Sequence, residues 1–97
     1  ASFLKPDYAA PEQYQTAREG IPKYEGPWTD IYAAGGTLYY LLTGHKPAGV
    51  LSRLKGDSKE EKLQGKWMEL IRQAMALEIK DRISSAEELS GRIRELI

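Results

Sequence analysis

Residues 29–43 read TDIYAAGGTLYYLLT, and this stretch decides the fold because it contains the longest apolar run of the chain. Thr29 is a suitable N-cap, Asp30 lies favourably in a first turn, and Gly44 is a good C-terminal stop. Two adjacent tyrosines would also suit a strand, but the run is too long for one strand, so we predict a helix. Because this helix is apolar nearly all round, we expect it to be buried on most sides.

Two glycines, Gly35 and Gly36, lie in the middle of this predicted helix. Each costs about 1 kcal/mol of helix stability relative to alanine. A helix that keeps both is therefore expected to pack against another backbone at very close range. The run is also shorter than the roughly 20 apolar residues of a membrane-spanning helix, which favours a core helix.

The rest of the chain divides into a proline-rich first part and amphipathic helices. Residues 1–28 are predicted to be loop, because their prolines each disfavour helix at the preceding residue, with a short helical turn beginning at Pro11 as the alternative there. We predict a short helix within 48–56, and a capping box of Ser85 and Glu88 starts another helix in 84–97. Apolar residues at spacings of three and four predict a helix over 62–77: Leu63, Trp67, Leu70, Ile71, Ala74 and Met75.

Composition excludes several classes of function. The 97 residues include 14 basic and 14 acidic side chains, and this zero net charge argues against a nucleic-acid partner. There is no cysteine and only one histidine, His45, so a thiolate or multi-histidine metal site is excluded. No glycine-rich phosphate loop or Gly-x-Ser-x-Gly motif occurs, and basic residues such as Arg53 are interpreted as solvated charges. We expect no catalytic residue, metal site or cofactor site in this chain.

Several short motifs follow one another in register along nearly the whole chain. Ala-Pro-Glu occupies residues 10–12, and Asp-Ile-Tyr begins about 18 residues later, at residue 30. Leu-Leu-Thr-Gly at 41–44, Asp-Arg at 81–82 and Ser-Ala-Glu-Glu-Leu at 85–89 complete the set. In this order and spacing, the motifs resemble the C-terminal part of the eukaryotic-like Ser/Thr protein kinase domain. The sequences around the first two motifs are most similar to bacterial members.

The resemblance implies an all-α fold, the helical C-terminal subdomain of the protein kinase fold. The chain would be a fragment without the N-lobe or the catalytic loop. Residues 1–97 would form one domain part, with the end of the activation segment and its anchor loop in 1–28 and a helical bundle in 29–97. The parent kinase would transfer the γ-phosphate of ATP, bound with Mg²⁺, to a protein Ser or Thr. This chain alone is expected to be inactive and to supply only structural and substrate-positioning parts.

The resemblance also assigns structural roles to three residues. The residues that match Glu12 and Arg82 form an ion pair in the family, which ties the activation segment to the late helices. Arginine suits this role because its planar fork can bind a carboxylate in bidentate fashion. The carboxylate matching Asp30 accepts hydrogen bonds from backbone N–H groups of the catalytic loop.

Lys5, Pro6 and Tyr8 match the part of the family that positions the substrate. Tyr8 would line the substrate pocket or pack below the loop, and the resemblance does not decide between these roles. Lys5 stands where most kinases have a threonine that contacts the catalytic-loop aspartate. A lysine there can bind that aspartate as a point charge, substitute for a catalytic-loop lysine, or mark a pseudokinase.

Two alternatives stay open, namely a pseudokinase-type scaffold and an unrelated small helical protein-interaction module. The expected partners are the missing N-terminal part of the kinase domain and a protein substrate. We also expect self-association of the isolated chain, because the apolar helix would lack the part of the kinase that covers it. The absence of cysteine suits a cytoplasmic protein, and a membrane anchor elsewhere in the parent is left open.

Overall fold

The computed structural model describes residues 7–13, 26–56 and 65–97, which form helices and their connections without a strand. The all-α prediction is therefore confirmed for these residues. Residues 11–13 are helical, and a 3-10 helix covers Ile79–Asp81. The α-helices are α1 Pro27–Thr43, α2 Val50–Lys55, α3 Lys66–Ala74 and α4 Ala86–Leu96.

Helix α1 begins two residues before the predicted start, so the prediction of Thr29 as its N-cap is wrong. Gly26 is the N-cap, and its N–H donates a hydrogen bond of 3.2 Å to Thr29 Oγ1. Pro27 occupies the first helical position, where a residue without an N–H costs nothing. The predicted end is correct: Gly44 adopts a left-handed φ of 76°, and its N–H donates to the Tyr40 carbonyl.

The other helices follow the predicted periodicity with shorter bounds. Helix α2 lies inside the predicted range 48–56, and α3 ends at Ala74, before the predicted residue 77. Helix α4 begins after Ser85, whose hydroxyl accepts a 3.1 Å hydrogen bond from the Glu88 N–H. Residues 62–64 of the predicted third helix, including Leu63, lie outside the described residues. Among the helices described, none has the length and apolar character needed to cross a membrane.

The core consists of two clusters that meet at the N-terminal half of α1. Ile31 and Tyr32 are consecutive, and each is buried in a different cluster. Burial of one large apolar side chain contributes about 1.5–3 kcal/mol, so these two clusters hold α1 against α3 and α4. Their other members are Ala10, Val50, Ile71 and Met75 in the first and Leu70, Ala74, Ile83 and Leu89 in the second.

The C-terminal half of α1 differs from the prediction that this helix is buried on most sides. Tyr40, Leu41 and Leu42 are 47%, 71% and 48% exposed. Helix α2 adds two more exposed leucines, Leu51 and Leu54. The expectation holds only for the first half of α1, because the described parts of the chain leave the second half uncovered.

The two glycines of α1 do lie at close approaches. A Cβ atom at Gly35 would lie 2.6 Å from Met75 Cγ and 3.0 Å from Ala74 Cβ, at the end of α3. At Gly36 the nearest atom would be Cδ1 of the Tyr8 ring, at 2.7 Å. Gly35 therefore allows the end of α3 to approach α1 closely, and Gly36 allows the aromatic ring of Tyr8 to do so. From the sequence, a neighbouring backbone is expected at both glycines.

A Gly35→Ala variant is expected to be less stable than the unmodified chain, by up to about 2 kcal/mol. Alanine gains about 1 kcal/mol of helix propensity, but overpacking against Ala74 costs about 1–3 kcal/mol. Gly91 in α4 is a matched control, because a Cβ atom there would meet nothing within 4 Å. Gly91→Ala is expected to stabilise the chain by up to about 1 kcal/mol. Urea denaturation of both variants tests this, and equal stabilisation would contradict a tight contact at Gly35.

Candidate functional site

The Ala-Pro-Glu motif forms a short helical turn, residues 10–13, here called the anchor turn. The Ala10 N–H donates to Gln13 Oε1 at 2.8 Å, and the Gln13 N–H donates to the Ala10 carbonyl at 3.0 Å. Pro11 suits the first position of such a turn because its φ is already helical. These bonds close the turn on itself, and Glu12 is buried with 4% of its surface exposed.

Arg82 follows the 3-10 helix and meets Glu12 across 70 positions of sequence. Its Nη1 lies 2.7 Å from Glu12 Oε2, and its Nη2 lies 3.0 Å from Oε1. Both side chains are almost fully buried. The structure thus brings these two residues together as a bidentate ion pair, the arrangement that pairs two planar groups most strongly.

The remaining donors of Arg82 bind backbone carbonyls from two parts of the chain. Nη1 also donates to the Trp28 carbonyl at 3.0 Å, in the first turn of α1. Nε donates to the Ala76 carbonyl at 2.9 Å, and Nη2 approaches the Leu77 carbonyl at 3.4 Å. A buried charge is tolerated when its hydrogen bonds are satisfied, as they are here. Arg82 therefore joins the anchor turn, the start of α1 and the segment after α3 at one point.

Thr29 completes the ion pair, a role that sequence reasoning missed. Its hydroxyl donates a 2.7 Å hydrogen bond to Glu12 Oε2 and accepts from the Gly26 N–H. One hydroxyl thus supports both the helix start and the buried carboxylate. The sequence offered only a cap residue near a helix start, and nothing in it identified the distant acceptor.

The hydrogen bonds at this site also set the protonation of Glu12. Burial alone would raise the pKa of Glu12, but hydrogen bonds from Arg82 and Thr29 outweigh it and hold the pKa below its usual value of 4.5. A carboxyl with a lowered folded-state pKa contributes stability above its unfolded pKa. That contribution is lost as the pH falls through the folded-state pKa.

Acidification below about pH 4.5 is therefore expected to reduce the stability of the chain through Glu12. Urea midpoints measured from pH 7 to pH 3 test this. Glu12→Gln has no carboxyl to protonate at this position, so its stability should fall less steeply over the same interval. Parallel curves for the two proteins would contradict the assignment.

The other predicted site residues are not gathered with the ion pair. Asp30 is exposed in the first turn of α1. Tyr8 is half-buried, and its ring lies beside Gly36 in α1. Lys5 and Pro6 lie outside the described residues.

Arg53 is a second residue that sequence reasoning missed. The sequence alone predicts a solvated charge here, but Nη1 of Arg53 donates to Tyr32 Oη at 2.9 Å and to the Met75 carbonyl at 2.6 Å. The physical reason is that the long side chain of Arg53 reaches from α2 to the hydroxyl of buried Tyr32 and to the carbonyl at the end of α3. Neither acceptor is near Arg53 in sequence.

Comparisons with known proteins bear on this arrangement. No family model and no curated protein matches the chain. Among solved structures, the chain is similar to PpkA-294, a bacterial Ser/Thr kinase, in its apo form. The two share 29% identity and a TM-score of 0.72 over 93% of this chain, which spans 32% of the other. The described residues thus have a kinase-like, all-helical fold that agrees with the C-terminal subdomain predicted from the motifs.

Proposed function

We propose that the chain is the C-terminal part of a Ser/Thr protein kinase domain of bacterial type, which helps to position a protein substrate for phosphorylation. The similarity to PpkA-294 supports a kinase-related function. The observation that carries the proposal is the buried, bidentate pair of Glu12 and Arg82. It joins the Ala-Pro-Glu turn to the segment before α4.

The ion pair suits a positioning role because it fixes where the preceding segment leaves the bundle. A buried ion pair gives little net stability compared with apolar packing of the same volume. We therefore assign this pair the role of fixing the position of the anchor turn. Glu12 fixes the anchor turn to the bundle. Tyr8, four residues before Glu12 in the sequence, packs with its ring against Gly36 of α1. Lys5 and Pro6 precede Tyr8 in the sequence, and we propose that they contact the substrate. Phosphoryl transfer depends mainly on such positioning and on electrostatic stabilisation.

The proposal assigns the remaining surfaces to the preceding part of the kinase. Exposed Asp30 would accept hydrogen bonds from the catalytic loop, which this chain does not contain. Tyr40, Leu41 and Leu42 would be covered by the same preceding part, and in the isolated chain they would support self-association. ATP and Mg²⁺ would bind outside this chain, and the proposed location is cytoplasmic.

The test begins with the coding sequence upstream of Ala1. We expect it to encode a glycine-rich loop, a strand lysine, a catalytic-loop aspartate and asparagine, and Asp-Phe-Gly. The continuous polypeptide, expressed with the present chain, should transfer the γ-phosphate of ATP to a general protein substrate, while residues 1–97 alone should not. Upstream sequence without these residues would contradict the enzymatic proposal.

The same polypeptide allows a test of the ion pair. Arg82→Met is expected to reduce kcat/KM by about 10–100-fold, because the substrate-positioning segment loses its fixed end. Arg94→Met is a matched control, since Arg94 is exposed on α4 and binds only the nearby Ser90 hydroxyl among its described hydrogen bonds. Equal activity of the two variants would remove the ion pair from the proposal.

A pseudokinase-type scaffold is a second candidate, favoured by Lys5 in the place of the usual threonine. The two candidates share the fold and differ in the upstream catalytic residues. The same upstream frame with its catalytic residues replaced, together with tight binding of a protein partner, would favour the scaffold.

A further inference from the structure

Two guanidinium groups lie over the buried ring of Tyr32. The Cζ atom of Arg82 is 5.1 Å from the ring centroid, and the Cζ atom of Arg53 is 5.8 Å from it. Tyr32 has no exposed surface and Arg82 is buried, so this cation meets the ring away from bulk water, whereas Arg53 is half-buried. Attraction between a cation and an aromatic ring is stronger when both are desolvated. The ring is thus a shared partner of two arginines from different elements.

Arg53 also attaches α2 to the bundle. Helix α2 has six residues, of which Val50 is buried while Leu51 and Leu54 are 61% and 65% exposed. A helix this short does not hold together without tertiary contacts. Arg53 supplies such contacts by donating both to Tyr32 Oη and to the Met75 carbonyl at the end of α3.

We propose that Arg53 is a positioning residue that couples α2 to the ion pair of Glu12 and Arg82 through Tyr32. A shift of α2 would withdraw the donor from Tyr32 Oη and change the orientation of the ring. Arg82 stacks on that ring while its fork binds Glu12, so the change reaches the anchor turn. The links form one continuous series of contacts from Arg53 to Glu12.

Such coupling is reciprocal, because a change at either end alters the free energy of the other by the same amount. A partner that binds the exposed leucines of α2 more tightly in one position of this helix than in another would therefore shift the anchor turn. This consequence for substrate positioning rests on the proposed function. The coupling itself rests only on the contacts described, and it can be tested without any activity.

Amide hydrogen exchange of the 97-residue chain, followed by NMR and corrected for intrinsic rates, tests the coupling. The Gln13 amide, which donates to the Ala10 carbonyl, reports on the anchor turn, and the amides of residues 54–56 report on α2. Arg53→Met should accelerate exchange at Gln13 by about fivefold, within the range expected for coupling between residues of one hydrogen-bond network. Glu12→Gln should accelerate exchange at 54–56 by at least about threefold.

Two internal controls separate coupling from general loosening. The Leu89 amide in α4 donates to the Ser85 carbonyl and should stay within about twofold of its original rate. Lys55→Met removes a neighbouring exposed cation of α2 and should leave the Gln13 rate unchanged.

The proposal is overturned if either direction of the effect is missing, or if Leu89 accelerates as much as Gln13. Should Arg53→Met fail to fold, Tyr32→Phe decides by the same criteria. That variant removes only the hydroxyl that accepts from Arg53, and it keeps the ring on which Arg82 stacks.

Discussion

Replacing Arg82 with methionine is expected to destabilise the chain by about 3–5 kcal/mol. Methionine keeps the apolar stem of the side chain but leaves the carboxylate of Glu12 buried without its cation. The variant also loses the hydrogen bonds to the carbonyls of Trp28 and Ala76. Urea denaturation at pH 7, followed by circular dichroism, measures the free energy of unfolding.

A double-mutant cycle separates the ion pair from these other losses. Glu12→Ala, Arg82→Ala and the double variant should give a coupling energy above about 0.5 kcal/mol, because the two side chains are in direct contact. Arg94→Met, on the exposed face of α4, should change stability by no more than about 0.5 kcal/mol. A coupling energy near zero would mean that the two charges act independently.

Replacing Leu70 with alanine is expected to destabilise the chain by about 2–5 kcal/mol. Leu70 is only 2% exposed, and it packs in the cluster that joins α1, α3 and α4. Truncation removes buried methyl groups and leaves a cavity that Ile31 and Ile83 can fill only in part. The same denaturation experiment measures the loss.

The chain itself offers a matched control for this substitution. Leu54 lies on α2 and is 65% exposed, so Leu54→Ala should cost no more than about 0.5 kcal/mol. Leu70→Met keeps most of the side-chain volume and should cost less than about 1.5 kcal/mol. Similar losses for Leu70→Ala and Leu54→Ala would show that the second cluster does not stabilise the fold.

The buried pair of Glu12 and Arg82 holds the anchor turn against the helical bundle. Leu70 reports on the bundle, and Arg82 reports on the attachment of the turn. If the Arg82 variants unfold with the same cooperativity as the unmodified chain, the turn is part of the bundle's cooperative unit. If a separate, earlier transition appears, the turn detaches while the bundle persists.

The sequence by itself predicted the four described α-helices and where several of them begin or end. Periodic apolar residues predicted α3 and α4, Ser85 marked the start of α4, and Gly44 marked the end of α1. These features are local: a helix depends on residues three or four positions apart, and a cap depends on its nearest neighbours. The kinase-like fold came from motifs in register, and the similarity to PpkA-294 supports it.

Only the tertiary structure decided what the polar side chains bind and which half of α1 is covered. Thr29 looked like a cap and proved to be a donor to Glu12, and Arg53 looked solvated and proved to bind Tyr32. Both contacts join residues at least 17 positions apart, so no local pattern encodes them. Their energy depends on burial and on the distance between specific atoms, and the packing of the helices sets both.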